Sequence, residues 1–360
     1  MYFFIPYYVD VYLFVVAVLS LICANRYVSK DSKWRGSSSQ MYLLVVCLII
    51  YVGFRPIGWG YFGDSAMTWH LYEVVYKNIP FVVEWNTDNL IYDNLLAFFA
   101  SLDLGLSYFF LVCATIYFGA AYIGIKRLFP QHSTAAYLVF LAAFSTFSYA
   151  TNGVKAGVAS SLFIMAISYS GRWWICFPLM LISYGFHHSM HVPMAAYMLT
   201  LFFKNPKIYF WGWFLCLLMA ASHITLFQSL FAGMTDNAGT KYLTGAQNDE
   251  ILYDQGGFRA DFIVYSAFPI IVGYIAIFKK NIYSIMYNTL LCLYMTTNGI
   301  WMLCIYAIFT NRIAYLSWFL YPVVLIYPFF LREWGGDRYQ LFAKVMIAHL
   351  ATTILLNMMY

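Results

Sequence analysis

Residues 106–127 read LSYFFLVCATIYFGAAYIGIKR. No charge interrupts this apolar run until Lys126 and Arg127 close it. As a helix, a run of about 20 apolar residues is long enough to cross the hydrocarbon core of a bilayer. The stretch therefore predicts a span over 106–125 ending on a pair of cations. Its neighbours repeat the pattern. Apolar runs bounded by polar residues predict spans at 5–24, 41–57, 106–125, 135–151, 154–170, 173–187, 189–203, 208–227, 262–278, 283–308, 312–331 and 339–358. Two longer regions, 58–105 and 228–261, do not span. Within the first, LIYDNLLAFFASLDL (90–104) is apolar but short, and Asp93 and Asp103 interrupt it. It reads as a re-entrant or interfacial helix. A thirteenth span there would reverse every later loop.

The composition agrees. The chain has 360 residues, 63% hydrophobic, 21% aromatic and only 10% charged. Soluble domains carry about 25% charge, so a water-soluble domain, a disordered chain and a nucleic-acid binder are all excluded. The expected fold class is all-α: a polytopic helical membrane protein of about twelve spans with re-entrant or amphipathic outer segments. A GT-C-like arrangement is compatible with it. Residues 1–360 read as a single integral membrane domain. The first span has no preceding Lys or Arg, so it lacks the n-region of a cleavable signal. The seven cysteines form no CxxC pair and lie in or beside apolar runs, where they read as packing.

Charge orients this topology. Most of the 20 Lys and Arg residues, among them Arg26, Lys126, Arg127, Lys279 and Lys280, fall on one side of the twelve-span scheme. Under the positive-inside rule that side is cytoplasmic, and both termini are expected outside. The carboxylates split the other way: only Asp31, Glu333 and Asp337 are inside. Chemistry is therefore expected on the outer face.

The cations that break the rule are Arg55, Lys77, Lys155, Lys241, Arg259 and Arg312. Arg55, Lys155, Arg259 and Arg312 sit at predicted span ends, each beside a polar or helix-breaking residue. Ionisable groups at such depth face the bundle interior or a water-filled cavity. Converging there, they would suit a phosphate or pyrophosphate; the alternative is four snorkelling helix anchors. Asp64 ends the glycine-spaced run 58–64, GWGYFGD. It reads as a base for a sugar hydroxyl or as a turn aspartate bonded to its own backbone. Asp261, two residues after Arg259, pairs with it or favours a helix N-terminus. In Phe186-His187-His188-Ser189-Met190-His191, His187 and His191 share a face if one helix carries both. His187 reads as a donor to substrate oxygen or as helix-end packing. Neither a metal nor a cofactor is expected.

In order, Gly53-Phe54-Arg55 and Gly63-Asp64, Asn152-x-x-Lys155-x-x-x-Ala159, Phe186-His187-x-Ser189, Gly257-Phe258-Arg259-x-Asp261 and Asn311-Arg312 resemble the EpsG family of bacterial polysaccharide polymerases. That family overlaps the Wzy-type polymerases of O-antigen, capsule and exopolysaccharide. The likeness runs from about residue 40 to 330. Lys155 stands where the family usually has Arg, and Ala156 where a Gln commonly follows. The resemblance implies an inner-membrane glycosyltransferase. It would transfer a growing glycan from undecaprenyl pyrophosphate to another lipid-linked repeat unit on the extracytoplasmic face. It further implies Asp64 and His187 as catalytic, Arg55, Lys155, Arg259 and Arg312 as pyrophosphate-binding, and Asn152 and Asp261 as supporting. The implied partners are undecaprenyl-pyrophosphate-linked oligosaccharides, the bilayer, a chain-length regulator and a flippase. The rival readings are a lipid-linked sugar flippase or transporter, another extracytoplasmic glycosyl- or O-acyltransferase, and a structural membrane protein.

Overall fold

The computed structural model describes residues 7–29, 38–58, 62–232, 257–307 and 310–359. Most of the region 228–261, expected to lie outside the membrane and including Lys241, falls outside the described residues, as do Trp59, Gly60 and Tyr61. Every regular element among the described residues is helical. In chain order they are α1 (Tyr8–Val28), α2 (Ser38–Gly53), α3 (Gly63–His70, continuing as a π-turn through Tyr76), α4 (Leu90–Ser101), α5 (Leu106–Leu128), α6 (Ser133–Leu141), α7 (Phe144–Thr151), α8 (Val154–Ser168) and α9 (Trp173–Phe186). There follow α10 (His191–Phe202), α11 (Pro206–Ala221), α12 (Leu226–Ala232), α13 (Ala260–Tyr274, with a π-helical end to Lys279), α14 (Ile285–Leu303), α15 (Thr310–Trp318), α16 (Tyr321–Ile326) and α17 (Arg338–Met359).

The all-helical expectation holds, and the described residues account for only part of the expected tally of about twelve spans. Among the described residues, four helices are long and apolar enough to cross a bilayer: α1, α5, α13 with its extension, and α17. The tally is six if two bent pairs each make one span. The predicted span 135–151 is one of these pairs, α6 and α7, bent by 71°. The Thr146 hydroxyl donates to the Phe140 carbonyl at 2.6 Å, so the break does not strand that acceptor. The predicted span 312–331 bends by 43° between α15 and α16, just before Pro322, which has no N–H to continue the ladder. α4 is only 12 residues, about 18 Å of helix against a hydrocarbon core of about 30 Å. That length suits the re-entrant or interfacial reading of 90–104.

The chain divides into two compact units: residues 1–187 with 336–360, and residues 188–335. In the first, α5 is central and touches α2, α4, α6 and α8, while α8 lies between α5 and α9. The C-terminal α17 packs on α1, and His349 Nε2 donates to the Val139 carbonyl of α6 at 3.1 Å. Two glycines set close approaches. A Cβ on Gly157 of α8 would stand 2.6 Å from the Tyr149 carbonyl of α7, and one on Gly185 of α9 would stand 2.6 Å from Ile91 of α4. Small residues permit such contacts between membrane helices.

In the second unit, α14 is central and touches α10, α11, α13 and α15. Several of its buried polar groups are paired between helices. Trp213 donates to Asn298 Oδ1 (2.8 Å), and Asn298 Nδ2 to Ser317 (3.1 Å). Trp318 donates to Ser266 (2.7 Å), and Trp301 to Thr310 (2.9 Å). Such pairs add to helix association in a medium that offers no water.

Candidate active site

Arg55 follows the end of α2 and is 2% exposed. Its Nε and Nη2 donate to Ser65 Oγ at 3.2 and 2.8 Å, and Nη1 donates to the Val52 carbonyl at 2.9 Å. The guanidinium lies 3.8 Å from the Phe110 ring centroid. Ser65 Oγ in turn donates to the Thr151 carbonyl at 2.6 Å. A buried guanidinium needs such partners, because an unpaired one is costly to desolvate. Arg55 is thus turned inward, and a phosphate would have to displace Ser65 to reach it. Asp64, in the first turn of α3, is half-buried. Its carbonyl accepts from Thr68 Oγ1 at 2.9 Å.

The Arg55–Ser65–Thr151 chain joins two of the sequence motifs. Thr151 ends α7, and the Asn152-Gly153 turn leads straight into α8. Asn152 Oδ1 is buried with no hydrogen-bond partner. Such an acceptor suits a hydroxyl donor rather than a phosphate oxygen. Lys155 sits half-buried in the first turn of α8. A cation there opposes the helix dipole, at roughly 0.3–1 kcal/mol. The ion pairs among the described residues are Lys77–Glu73, Lys77–Asp103 and Arg259–Asp261, so Lys155 has no carboxylate within 4 Å.

A carboxylate that the motifs did not include lies within electrostatic range of Lys155. Burial pushes the Asp93 carboxyl above the usual carboxylate range. Lys155 is the strongest influence in the opposite direction, followed by the Thr87 hydroxyl and the Asn89 backbone. Asp93 lies in the first turn of α4. In the sequence it stood out only as a charge interrupting an apolar segment, which was evidence about topology and equally a sign of a site. At the start of the same helix, Asn89 is 4% exposed and its Oδ1 lies 3.3 Å from His187 Nδ1. α4 therefore meets His187 through Asn89 and carries Asp93 within the field of Lys155.

The histidine run does not form one helix face. α9 ends at Phe186, His187 is extended, and a 3-10 turn spans His188–Met190 before α10. The 187/191 spacing thus loses its helical meaning, and His191 Nδ1 pairs with the His188 carbonyl at 2.9 Å.

In the second unit, Arg259 precedes α13 and forks onto Asp261: Nε to Oδ1 at 3.1 Å and Nη2 to Oδ2 at 3.0 Å. Its guanidinium lies 3.7 Å from the Phe262 ring centroid. Asp261 orients Arg259 and also occupies the first turn of α13, where the dipole favours it. Arg312 is exposed on α15, and its N–H donates to Asn311 Oδ1 at 3.0 Å.

The EpsG family model matches residues 40–359. The chain belongs to the EpsG family. EpsG is a family of Wzy-type polysaccharide polymerases. No curated protein and no solved structure matches the chain. The EpsG match takes in both units, so it spans Arg55, Asp64, Asn152, Lys155 and His187 in the first and Arg259, Asp261 and Arg312 in the second.

Proposed function

We propose that the protein is an inner-membrane glycosyltransferase that polymerises undecaprenyl-pyrophosphate-linked repeat units on the extracytoplasmic face. The single observation that carries the reading is Lys155, a half-buried cation with no carboxylate within 4 Å among the described residues, whose charge acts on the half-buried Asp93 of α4, the helix that begins at Asn89 beside His187. That set matches the reaction. The donor's C1–O bond to pyrophosphate breaks, and both electrons leave with the phosphate oxygen. The acceptor hydroxyl oxygen forms the new bond to C1 and gives up its proton.

A departing pyrophosphate needs cations and no metal: in the first unit Lys155 is the candidate, and in the second Arg259 and Arg312 are. Asp64 or His187 takes the acceptor proton. Arg55 contributes as the brace that holds the Thr151–Lys155 turn, and Asn152 receives a sugar hydroxyl. The prenyl chain lies between helices in the bilayer. Both termini face outward, and helices shorter than a full span complete the crossing together with their extended flanks. A flippase supplies the substrate, and a separate regulator sets chain length.

Deletion of the gene, followed by gel analysis of the surface glycan, tests the reading. Complementation uses wild type, Asp64→Asn and Arg259→Ala at matched protein levels. Single-repeat material that only wild type extends to a ladder supports a polymerase. An intact ladder of slightly faster bands identifies a branch-sugar or acyl transferase instead. Lipid-linked repeats trapped on the cytoplasmic side identify a flippase.

A further inference from the structure

A cavity of about 270 Å³ lies between α4, the π-turn that ends at Tyr76 and the strap 79–87. Its polar lining is Tyr76, Glu84, Thr87, Asp93 and Asn94, and its apolar lining includes Phe81. The strap is fixed rather than loose. The Glu84 N–H donates to Asn94 Oδ1 at 2.8 Å, and Asn94 Nδ2 donates to the Glu84 carbonyl at 2.8 Å and the Leu90 carbonyl at 2.7 Å. The Asn94 amide is therefore spent on the wall. At the far end, Lys77 pairs with Glu73 (2.8 Å) and Asp103 (3.4 Å), tying the π-turn to the end of α4. Asn78 makes the exit from the π-turn with φ at +67°, a conformation Asn tolerates better than most residues.

The lining selects the ligand. It holds two carboxylates and no Lys or Arg, so it repels phosphate and acidic sugars. A prenyl chain would cover those two carboxylates while offering them no donor of its own. A metal ion lacks ligands, because no group of three His, Cys, Asp or Glu side chains is placed to hold one among the described residues. A neutral polyol fits: its hydroxyls donate to Asp93 and Glu84, and its C–H face lies on Tyr76 or Phe81. The volume falls just below the roughly 300–1,000 Å³ range of small-molecule pockets, which limits the occupant to about one ring. The strap's outer side chains are apolar and exposed, Val82 at 77% and Trp85 at 79%, as expected of a segment at the bilayer interface, where lipid-linked sugars lie.

We propose that this cavity is the subsite for one uncharged sugar ring, the terminal residue of the acceptor glycan, gripped by Asp93 and Glu84. Assigning it to the acceptor rests on the polymerase reading: the acceptor's reacting end is remote from its own pyrophosphate, whereas the donor's reacting sugar carries the charge this lining rejects. Asp93 binds the ring within the field of Lys155, which puts the acceptor near that cation.

Saturation-transfer NMR on the full chain in lipid nanodiscs tests the subsite. The probes are the methyl glycosides of glucose, galactose and N-acetylglucosamine, with methyl glucuronide and inorganic pyrophosphate as charged comparators. At least one neutral glycoside is expected to bind, and the glucuronide to bind at least tenfold more weakly. Asp93→Asn and the cavity-filling Ala97→Leu are each expected to weaken the neutral ligand about tenfold, and pyrophosphate is expected not to compete. Glu84→Gln, on the exposed strap, serves as the second polar variant if Asp93→Asn does not fold. No glycoside signal above background, binding unchanged in these variants, or displacement by pyrophosphate overturns the proposal. Loss of the glycan ladder's dependence on the gene, with glycoside binding intact, removes the polymerase reading and leaves the subsite. An intact dependence without glycoside binding removes the subsite alone.

Discussion

Ser65 and Thr151 lie 86 positions apart, yet Ser65 Oγ donates to the Thr151 carbonyl at 2.6 Å while receiving two hydrogen bonds from Arg55. One hydroxyl thus locks the α2–α3 turn to the α7–α8 turn. Ser65→Ala is expected to leave a buried guanidinium without two of its bonds and to destabilise the protein by about 2–3 kcal/mol. A thermal melt of the purified chain measures the loss. Ser65→Thr restores the hydroxyl and is expected to recover most of it. Arg55→Lys is not expected to be tolerated, because an ammonium cannot make the fork or the same stack on Phe110.

The position of Lys155 depends on how closely α8 approaches α7. Gly157→Ala places a methyl 2.6 Å from the Tyr149 carbonyl, and backbone must move to admit it. A loss of about 1–3 kcal/mol is expected, with reduced polymer yield. Gly119 of α5 has nothing within 4 Å of its would-be Cβ. Gly119→Ala is expected to be neutral or stabilising by up to about 1 kcal/mol, which makes it the control in the same melt.

Asp93 carries a pH dependence whose sign follows from its environment. Burial raises its carboxyl, Asp88 in the turn before α4 adds to this, and Lys155 on α8, with Thr87 and the Asn89 backbone, opposes it. The Tyr76 phenol and the Glu84 carboxylate face it from the π-turn and the strap. A folded-state value above the unfolded one means that the ionised carboxylate weighs against folding, and that penalty is lifted as pH falls through the raised value. Asp93→Asn is therefore expected to raise the melting temperature at neutral pH. Binding runs the other way: glycoside affinity in the wild type is expected to fall as pH drops through that same raised value, and in Asp93→Asn to lose this acid limb. Paired melts and NMR titrations across pH 4–8 check both.

Arg259 is held in a fork by Asp261. Under the polymerase reading, Arg259→Ala is expected to lower ladder yield on the order of a hundredfold, as loss of a transition-state donor does. Asp261→Asn keeps the cation and loosens its orientation, so a smaller drop is expected. Gel densitometry at equal protein levels ranks the two.

What the sequence made legible follows from what apolar runs encode. Composition required helices, because only they satisfy the backbone of such a chain in lipid. Two carboxylates inside 90–104 marked α4 as something other than a span, and the Arg259–Asp261 spacing anticipated their pairing. The break at Ala142 and Ala143 was hidden, since its carbonyl is satisfied by Thr146, whose role no hydropathy pattern reveals. The 3-10 turn after His187 was hidden for the same reason. The inward turn of Arg55 depends on Ser65 and Phe110, which are remote in sequence or invisible to motif spacing. Asp93 entered only as a topological clue, because its meaning arises from Lys155, 62 positions later.

The packing of α17 on α1 has a consequence for biosynthesis. The first unit is made of the chain's earliest described helices and its last one, with residues 188–335 intervening. During synthesis α1 and α6 must wait, with the Val139 carbonyl still lacking its His349 partner, until the ribosome has delivered the final helix. The first unit's candidate residues, from Arg55 to His187, are encoded early, and a chain stalled after α16 carries them in a unit that still lacks α17.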